Sequence, residues 1–592
     1  MKNFKLTLTT LALSGMVVLN SCEENRSTAT GWEYNNADNG GFDRVEYAGQ
    51  ETGPGLVFIE GGRFSMGRVE DDVNYTWDHL QTPVTVSSFY MDETEVTNQH
   101  WLDYLHWLEM VYADSYPELI GRALPDTNCW RQKDQDMEKY VELYLRHPAY
   151  QDYPVVGVSW LQANDYCSWR TDRVNEQILV REGFLAHNLA AQGADEHFTT
   201  ETYFNGQYEG EQLGEGLPNY NPKGDPFRKV RMEDGILLPR YRLPNEAEWE
   251  YAAMALIGNS YQELITDRRT YPWNGHYVRN GDNGTEYFGT MRANFMRGTG
   301  DAMGVAGYLN DNADITAPVY QYPPNDFGLY NMAGNVSEWV SDVYRPLTDE
   351  DRSEFRPYRG NVYKTKTLNS DGSVADKLTY NVYDVDEVKK YLESLKNDKD
   401  FFEVSLEDRA KYGEKDIQVL DQCLVKIDQA IEKRDLRREE EAMAIMDEMM
   451  ELIRSSEADI AYTLIDNIEN FIVSTSGRQK MRNVSLEENI NRTNYRKADN
   501  IDYNDGDFQS SSKYFNAEFE NREDRMYDYG KTTLVNNRSR VYKGGSWEDR
   551  VYFNIPSTRR FLDERKSSRS LGFRCAMDRV GSPSGIGAKG GE

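Results

Sequence analysis

The sequence predicts an α+β fold interrupted by an inserted α-helical subdomain, and three patterns predict it. Short apolar runs punctuated by glycine open the body at residues 55–67, as strands and turns do. Single helices then recur at wide intervals, near 97–111, 160–173 and 246–255, rather than as a bundle. Far along the chain, residues 385–474 carry a dense run of helical periodicity between two stretches that lack it.

In the first stretch, Leu56 to Ile59 and Arg63 to Met66 read as two short strands joined by a turn at Gly61-Gly62. Trp101, Leu102, Leu105, Leu108 and Val111 then recur at helical spacing, and further helices are expected from Trp160 to about Arg173 and from Glu246 to about Ala255. In the block, Ser405-Leu406-Glu407-Asp408 has the form of a capping box. Ile417, Leu420, Leu424, Ile427 and Ile431 follow at steps of three and four, then Met446, Met450 and Ile453, then Ile460, Leu464 and Ile468. Two or three amphipathic helices are expected, their stripes forming an intramolecular core; a partner-binding face is the other reading. Residues 476–535, rich in Asn, Asp, Arg and Tyr, read as an irregular connection.

The chain is long enough, at 592 residues with 39% hydrophobic side chains, to bury a large core. Its net charge of −32 argues against nucleic acid or anionic headgroups as partners recruited by charge. Membrane attachment has another source. Lys2 and Lys5 precede an apolar run, Leu6 to Leu19, that is shorter than the roughly 20 residues a span needs and ends in Leu19-Asn20-Ser21-Cys22. This resembles a lipoprotein signal peptide with its lipobox, so Cys22 is expected to be the acylated N-terminus; an ordinary secretory signal is the alternative. Glu23-Glu24-Asn25 then favours the outer membrane, with the periplasmic face preferred to the cell surface. In that oxidising setting Cys129, Cys167, Cys423 and Cys575 remain, and spacing leaves all three pairings open.

Seven segments in order carry a family resemblance. They are Gly61 to Gly67, Phe89 to Asn98, Pro154 to Trp160, Arg242-Leu243-Pro244-Asn245-Glu246-Ala247-Glu248-Trp249-Glu250, Gly328-Leu329-Tyr330-Asn331-Met332-Ala333-Gly334-Asn335-Val336-Ser337-Glu338-Trp339, Gly544-Gly545-Ser546-Trp547 and Leu571 to Cys575. Together they resemble the formylglycine-generating enzymes, the sulfatase-modifying-factor family, over about 55–345 and 536–580. Within it the chain is similar to lipoproteins that accompany gliding motility and type IX secretion. The expected organisation is a signal peptide and lipobox at 1–22, a flexible tether at 23–54 and the first part of the domain at 55–345. An insertion at 346–535, the C-terminal part of the domain at 536–580 and a disordered tail at 581–592 complete it.

The resemblance implies the family's C-type-lectin-like fold with much irregular structure. The family's enzymes hold copper on two cysteines five residues apart; counted from Arg559, those positions are Val551 and Pro556 here, and neither side chain can ligate copper(I). No cysteine lies between Gly544 and Gly572. A pseudo-enzyme without copper is therefore expected, acting on envelope proteins of the gliding and secretion machinery, among them a paralogous lipoprotein and its ring complex. The competing readings are an active oxidase with a remodelled site and a glycan- or peptide-binding module. Glu246, Glu248 and Glu250 are read as structural hydrogen-bonding groups. The resemblance also implies calcium on Asn331, Gly334, Val336 and Glu338, a second site on Asn294, Phe295, Asp311 and Ala313, and a disulfide between Cys167 and Cys575. Calcium accepts such oxygen ligands, including backbone carbonyls.

Overall fold

A computed structural model of the chain describes residues 25–345, 358–397, 413–488 and 538–581, apart from short gaps of which 299–310 is the longest. The lipobox with Cys22, the capping box at 405–408, most of the connection 489–537 and the tail from 582 lie outside the described residues. Two compact units are present. The smaller gathers the described residues of Met1–Gly49, Gln177–His187 and Gly210–Leu237. In it Arg228 binds both Asp234, at 2.7 Å, and Asp43, at 3.1 Å, so much of the segment expected to be a flexible tether is folded. Polar residues of the kind that fill tethers have fixed partners here.

The larger unit is built on two four-stranded sheets. Strands β1 (Leu56–Ile59), β4 (Phe89–Asp92), β5 (Tyr241–Arg242) and β10 (Ala576–Asp578) form one, in the order β1-β4-β10-β5. Strands β6 (Ser337–Val343), β7 (Ser539–Lys543), β8 (Arg560–Asp563) and β9 (Leu571–Gly572) form the other, in the order β8-β7-β6-β9. Strand β6 is buried at six of its seven residues. The two segments around Gly61-Gly62 are strands, but they do not pair with each other: β1 runs against β4, and β2 (Gly62–Met66) against β3 (Thr82–Val86). Residues after the insertion supply β10 to the middle of the first sheet and three strands to the second, so neither sheet is complete without the C-terminal segment.

Helix α1 (Asn98–Tyr112) starts at a capping box between Thr97 and His100 and buries Trp101, Tyr104, Leu108 and Val111. Helix α2 (Glu118–Ala123) follows it. Helix α3 (Trp160–Arg181) runs longer than expected, and α4 (Glu246–Met254) begins at Asn245, whose side chain and that of Glu248 cap each other. The apolar face of α4 meets Ile59, Phe64, Val86 and Val541 in the main core.

Among its described residues the insertion contains four helices, α5 (Val385–Asn397), α6 (Gly413–Asp435), α7 (Glu439–Ser455) and α8 (Ala461–Glu469). The stripe of α6 lies slightly off its expected face: Leu420, Cys423, Ile427 and Ala430 are buried, whereas Ile417 is 45% exposed. Helix α7 buries four methionines, Met443, Met446, Met449 and Met450. Two short ladders close the insertion's ends, Val382–Tyr383 with Ile472–Ser474 and Lys364–Lys366 with Met481–Asn483. The insertion rests on the core through polar contacts: buried Glu118 accepts from Asn381 Nδ2 at 3.2 Å and Arg454 at 3.4 Å, and the Tyr116 hydroxyl donates to the Thr379 carbonyl at 2.9 Å. No described helix is long and apolar enough to cross a membrane.

Candidate functional site

Val551 and Pro556, the positions expected to correspond to the family's thiolates, lie on one short segment between β7 and β8. Val551 opens a 3-10 turn, Val551–Asn554, and packs, as Trp273 and Val278 do, against the cluster of Met291, Ala293 and Phe295. Pro556 follows the turn. Between them Asn554 is fully buried, and among the described residues neither its amide oxygen nor its nitrogen has a hydrogen-bond partner. Gly545 makes this possible: at φ +68° it has a conformation glycine takes readily, and a Cβ there would lie 2.2 Å from the Asn554 oxygen. Beside the turn, the Tyr552 hydroxyl donates to Asp72 at 3.0 Å, and Arg68 binds both.

Sulfur chemistry has little support among the cysteines the structure describes. Burial pushes the Cys129 and Cys423 thiols up to about 12, and the Cys575 thiol well above its ordinary value, so none is a ready nucleophile. Cys167 and Cys575 are brought together as expected, both buried, with their sulfurs 3.3 Å apart. In this structure they stand as neighbouring thiols.

The three carboxylates of α4 are all held in ion pairs. Glu246 receives Arg559 at 2.6 Å and Lys543 at 3.2 Å; Glu250 receives Lys543 at 2.9 Å and the Gly67 amide at 2.8 Å. Burial alone would raise both carboxyls, but the neighbouring cations outweigh it and hold them low. Glu248 binds Arg242 at 2.7 Å and caps its own helix. These groups brace β7 and the Arg559 loop against α4. His79 closes the cluster, 3.7 Å from Glu250; burial drives its pKa down to about 4, so its ring is neutral.

The Asn331 loop sits beneath a wide cleft. Asn331 and Asn335 are left-handed at φ +53° and +63°, and Gly334, at φ +79°, leaves no room for a Cβ, which would lie 2.3 Å from the Asn294 carbonyl. That contact joins the two sets of residues expected to hold calcium. Asn331 donates through Nδ2 to Glu95 and to the Val319 carbonyl, both at 2.9 Å, while its buried Oδ1 has no donor, as suits a cation ligand. Glu338 fits less well: Arg574 takes both its oxygens at 2.7 Å and the Trp249 indole donates at 2.8 Å. The four residues of the second set are also adjacent. Asp311 accepts the Phe295 amide at 2.8 Å and the Ala313 amide at 3.3 Å, and Asn294 Nδ2 donates to the Ile315 carbonyl.

Sequence reasoning passed over Glu95, which is fully buried and held by the Asn331 and Asn335 amides at 2.9 Å. Burial pushes its carboxyl up to about 7, against the opposing pull of Arg574. It also missed the cleft, of about 710 Å³, lined by Trp273, Tyr320, Tyr322, Pro323, Pro324 and Tyr330. Tyr320 is 59% exposed and packs edge-on against Tyr330 at 4.9 Å. The run Tyr320 to Asn325 carries the signal in its composition, but only the fold sets it opposite Trp273.

Comparison with known proteins places this architecture. The sulfatase-modifying factor enzyme 1-like domain matches residues 41–382. The formylglycine-generating enzyme of Streptomyces coelicolor is 37% identical over 136 residues, 22% of this chain and 35% of that protein. The serine/threonine-protein kinase pkn1 of Chlamydia pneumoniae is 26% identical over 289 residues, 49% of this chain; the match spans only 28% of the kinase. The chaperone protein LppX of Paenibacillus barcinonensis is 26% identical over 297 residues, 50% of this chain and 74% of that one. Among solved structures, PvdO of Pseudomonas aeruginosa aligns over 88% of this chain and 94% of its own, at 14% identity and a TM-score of 0.31. With a family match over more than half its length, the chain belongs to the sulfatase-modifying-factor, or formylglycine-generating-enzyme-type, family.

Proposed function

We propose that this chain is a non-catalytic lipoprotein of the outer membrane, anchored through Cys22 on the periplasmic face, and a structural and interaction component of the gliding-motility and type IX secretion machinery. Its type within the family is GldJ, with the paralogous GldK as the alternative. Its partners are envelope proteins of that machinery, GldK and its ring complex among them. The observation that supports the reading most is Val551 and Pro556 at the positions where the family's enzymes carry copper thiolates, with Val551 packed into an apolar cluster. Soft sulfur ligands are needed to bind copper(I) and oxidise a thiol, and Val and Pro offer none. Calcium belongs to the proposal as a stiffening ion, with the unpaired Asn331 oxygen as its best-suited ligand and the Asp311 loop as a second holder. Cys167 and Cys575 would bridge under oxidising conditions and pin α3 to the start of β10.

A second reading has an observation of its own: the aromatic cleft above the Asn331 loop has the shape of a glycan- or peptide-binding groove. Affinity capture of the lipidated protein, with mass spectrometry of co-purifying envelope proteins, tests the first. Reproducible recovery of secretion-machinery components, lost on Cys22→Ser, is expected. A wild-type protein that recovers none of them, or that takes up no fatty-acid label, would overturn it.

A further inference from the structure

Between helices α1, α2 and α3 and the chain leaving the insertion lies a small pocket, about 50 Å³, that the family's site does not use. Leu108 and Leu119 supply its apolar wall, Trp107 and Trp169 its aromatic one, and Arg122, Arg478 and the carboxylate of Asp165 its charge. Both indoles are more than nine-tenths buried, and neither Nε1–H has an acceptor among the described residues. A buried donor without an acceptor is costly to keep, and an indole N–H can do nothing but donate. The guanidiniums also only donate. Arg122 is held by Asp165 at 2.7 Å, but Arg478 has only Asp172, at 3.7 Å, and its side chain is 35% exposed at the mouth. Asp165, which also lines the pocket, matches Arg122, so the two indole N–H groups and the Arg478 guanidinium are the donors left to an occupant, and the complement is a compact, negatively charged acceptor. About 10–15 Å³ of such space suffices for one water. The pocket thus admits a group of a few heavy atoms and is too small for a sugar or nucleotide.

We infer that this pocket binds a carboxylate and that its occupant ties the insertion to the domain core. Arg478 lies on the insertion's return strand side, beside Thr475, whereas both tryptophans belong to core helices. One carboxylate can therefore accept from both bodies of residues at once. A free small acid and the C-terminus of a peptide present the same carboxylate chemistry.

The test uses the full chain with ¹⁵N-labelled tryptophan, titrated with acetate, with a short peptide bearing a free C-terminus, and with the same peptide amidated. Two of the eleven indole N–H signals should shift, those removed by Trp107→Phe and Trp169→Phe. Arg478→Gln, at the rim, should weaken binding about tenfold, as expected for loss of one charge-assisted hydrogen bond. Saturation by acetate supports the site and identifies a free acid; much tighter binding of the free-ended peptide supports it and identifies a chain terminus. No shift with either acid, an amidated peptide as effective as the free one, or affinity unchanged in Arg478→Gln would overturn the inference.

Discussion

Beneath the two sheets, Glu246, Glu250, Glu338, Lys543, Arg559 and Arg574 are paired side chain to side chain with almost no exposure. Helix α7 of the insertion instead buries methionines and isoleucine against its neighbours. The difference is one of tolerance. An ion-paired interior holds one geometry, because moving either partner leaves a charge buried alone. Unbranched methionines repack with little loss. The family frame is therefore rigid where its enzymes' catalytic segment would be, and the region that can vary in shape is the insertion.

The largest effect should come from breaking the frame. Arg574→Ala strands Glu338 without its bidentate partner and should cost about 3–5 kcal/mol, read by denaturant unfolding. A loss below about 1 kcal/mol would show that the interior is not locked as described. In the insertion, Met446→Ala should cost about 2–5 kcal/mol and Met446→Leu under about 1.5. Hydrogen exchange should place that loss in residues 413–469 while the sheets stay protected, and equal deprotection of both regions would erase the comparison.

Acid sharpens it further. His79 is held at about 4 in the folded chain against 6.5 in the open one, so between those values the unfolded chain takes up the extra proton. Its contribution is complete above about pH 6.5 and is lost as pH falls toward 4, by up to about 3 kcal/mol. Glu95 runs the other way: its carboxyl is raised from 4.5 to about 7, so its contribution declines as pH climbs through that window. His79→Gln should flatten the acid limb of stability below pH 6.5 and leave the Glu95 limb in place, as followed by thermal unfolding across pH. The smallest effect belongs to the insertion's surface. Removing the exposed Lys396–Asp421 pair with Lys396→Ala should cost no more than about 1 kcal/mol and vanish in high salt.

Much of this was legible in the sequence, for reasons that differ by element. Helix α1 declares itself through apolar spacing, a local signal, whereas the capping boxes at Thr97 and Asn245 that start α1 and α4 came to light in the structure. The residues grouped by the family motifs include Phe295 with Asp311, whose amide and carboxylate are 2.8 Å apart, and Cys167 with Cys575, whose sulfurs are 3.3 Å apart. Strand partners were not legible: β1 and β2 look like a hairpin in sequence, but Gly61-Gly62 turns the chain from one sheet into another. Nor was the burial of Glu95, because its surroundings come from the distant Asn331 loop. The stripe of α6 was misjudged at Ile417 since steps of three and four admit two neighbouring faces, and only packing against α5 and α7 selects one.

The most direct test is a formylglycine assay on the purified full chain, supplied with copper(I), oxygen, a reductant and a cysteine-containing sulfatase peptide. With Val551 and Pro556 in the thiolate positions, aldehyde should not exceed that of a no-protein control. Oxygen-dependent conversion above that control would contradict the non-catalytic account.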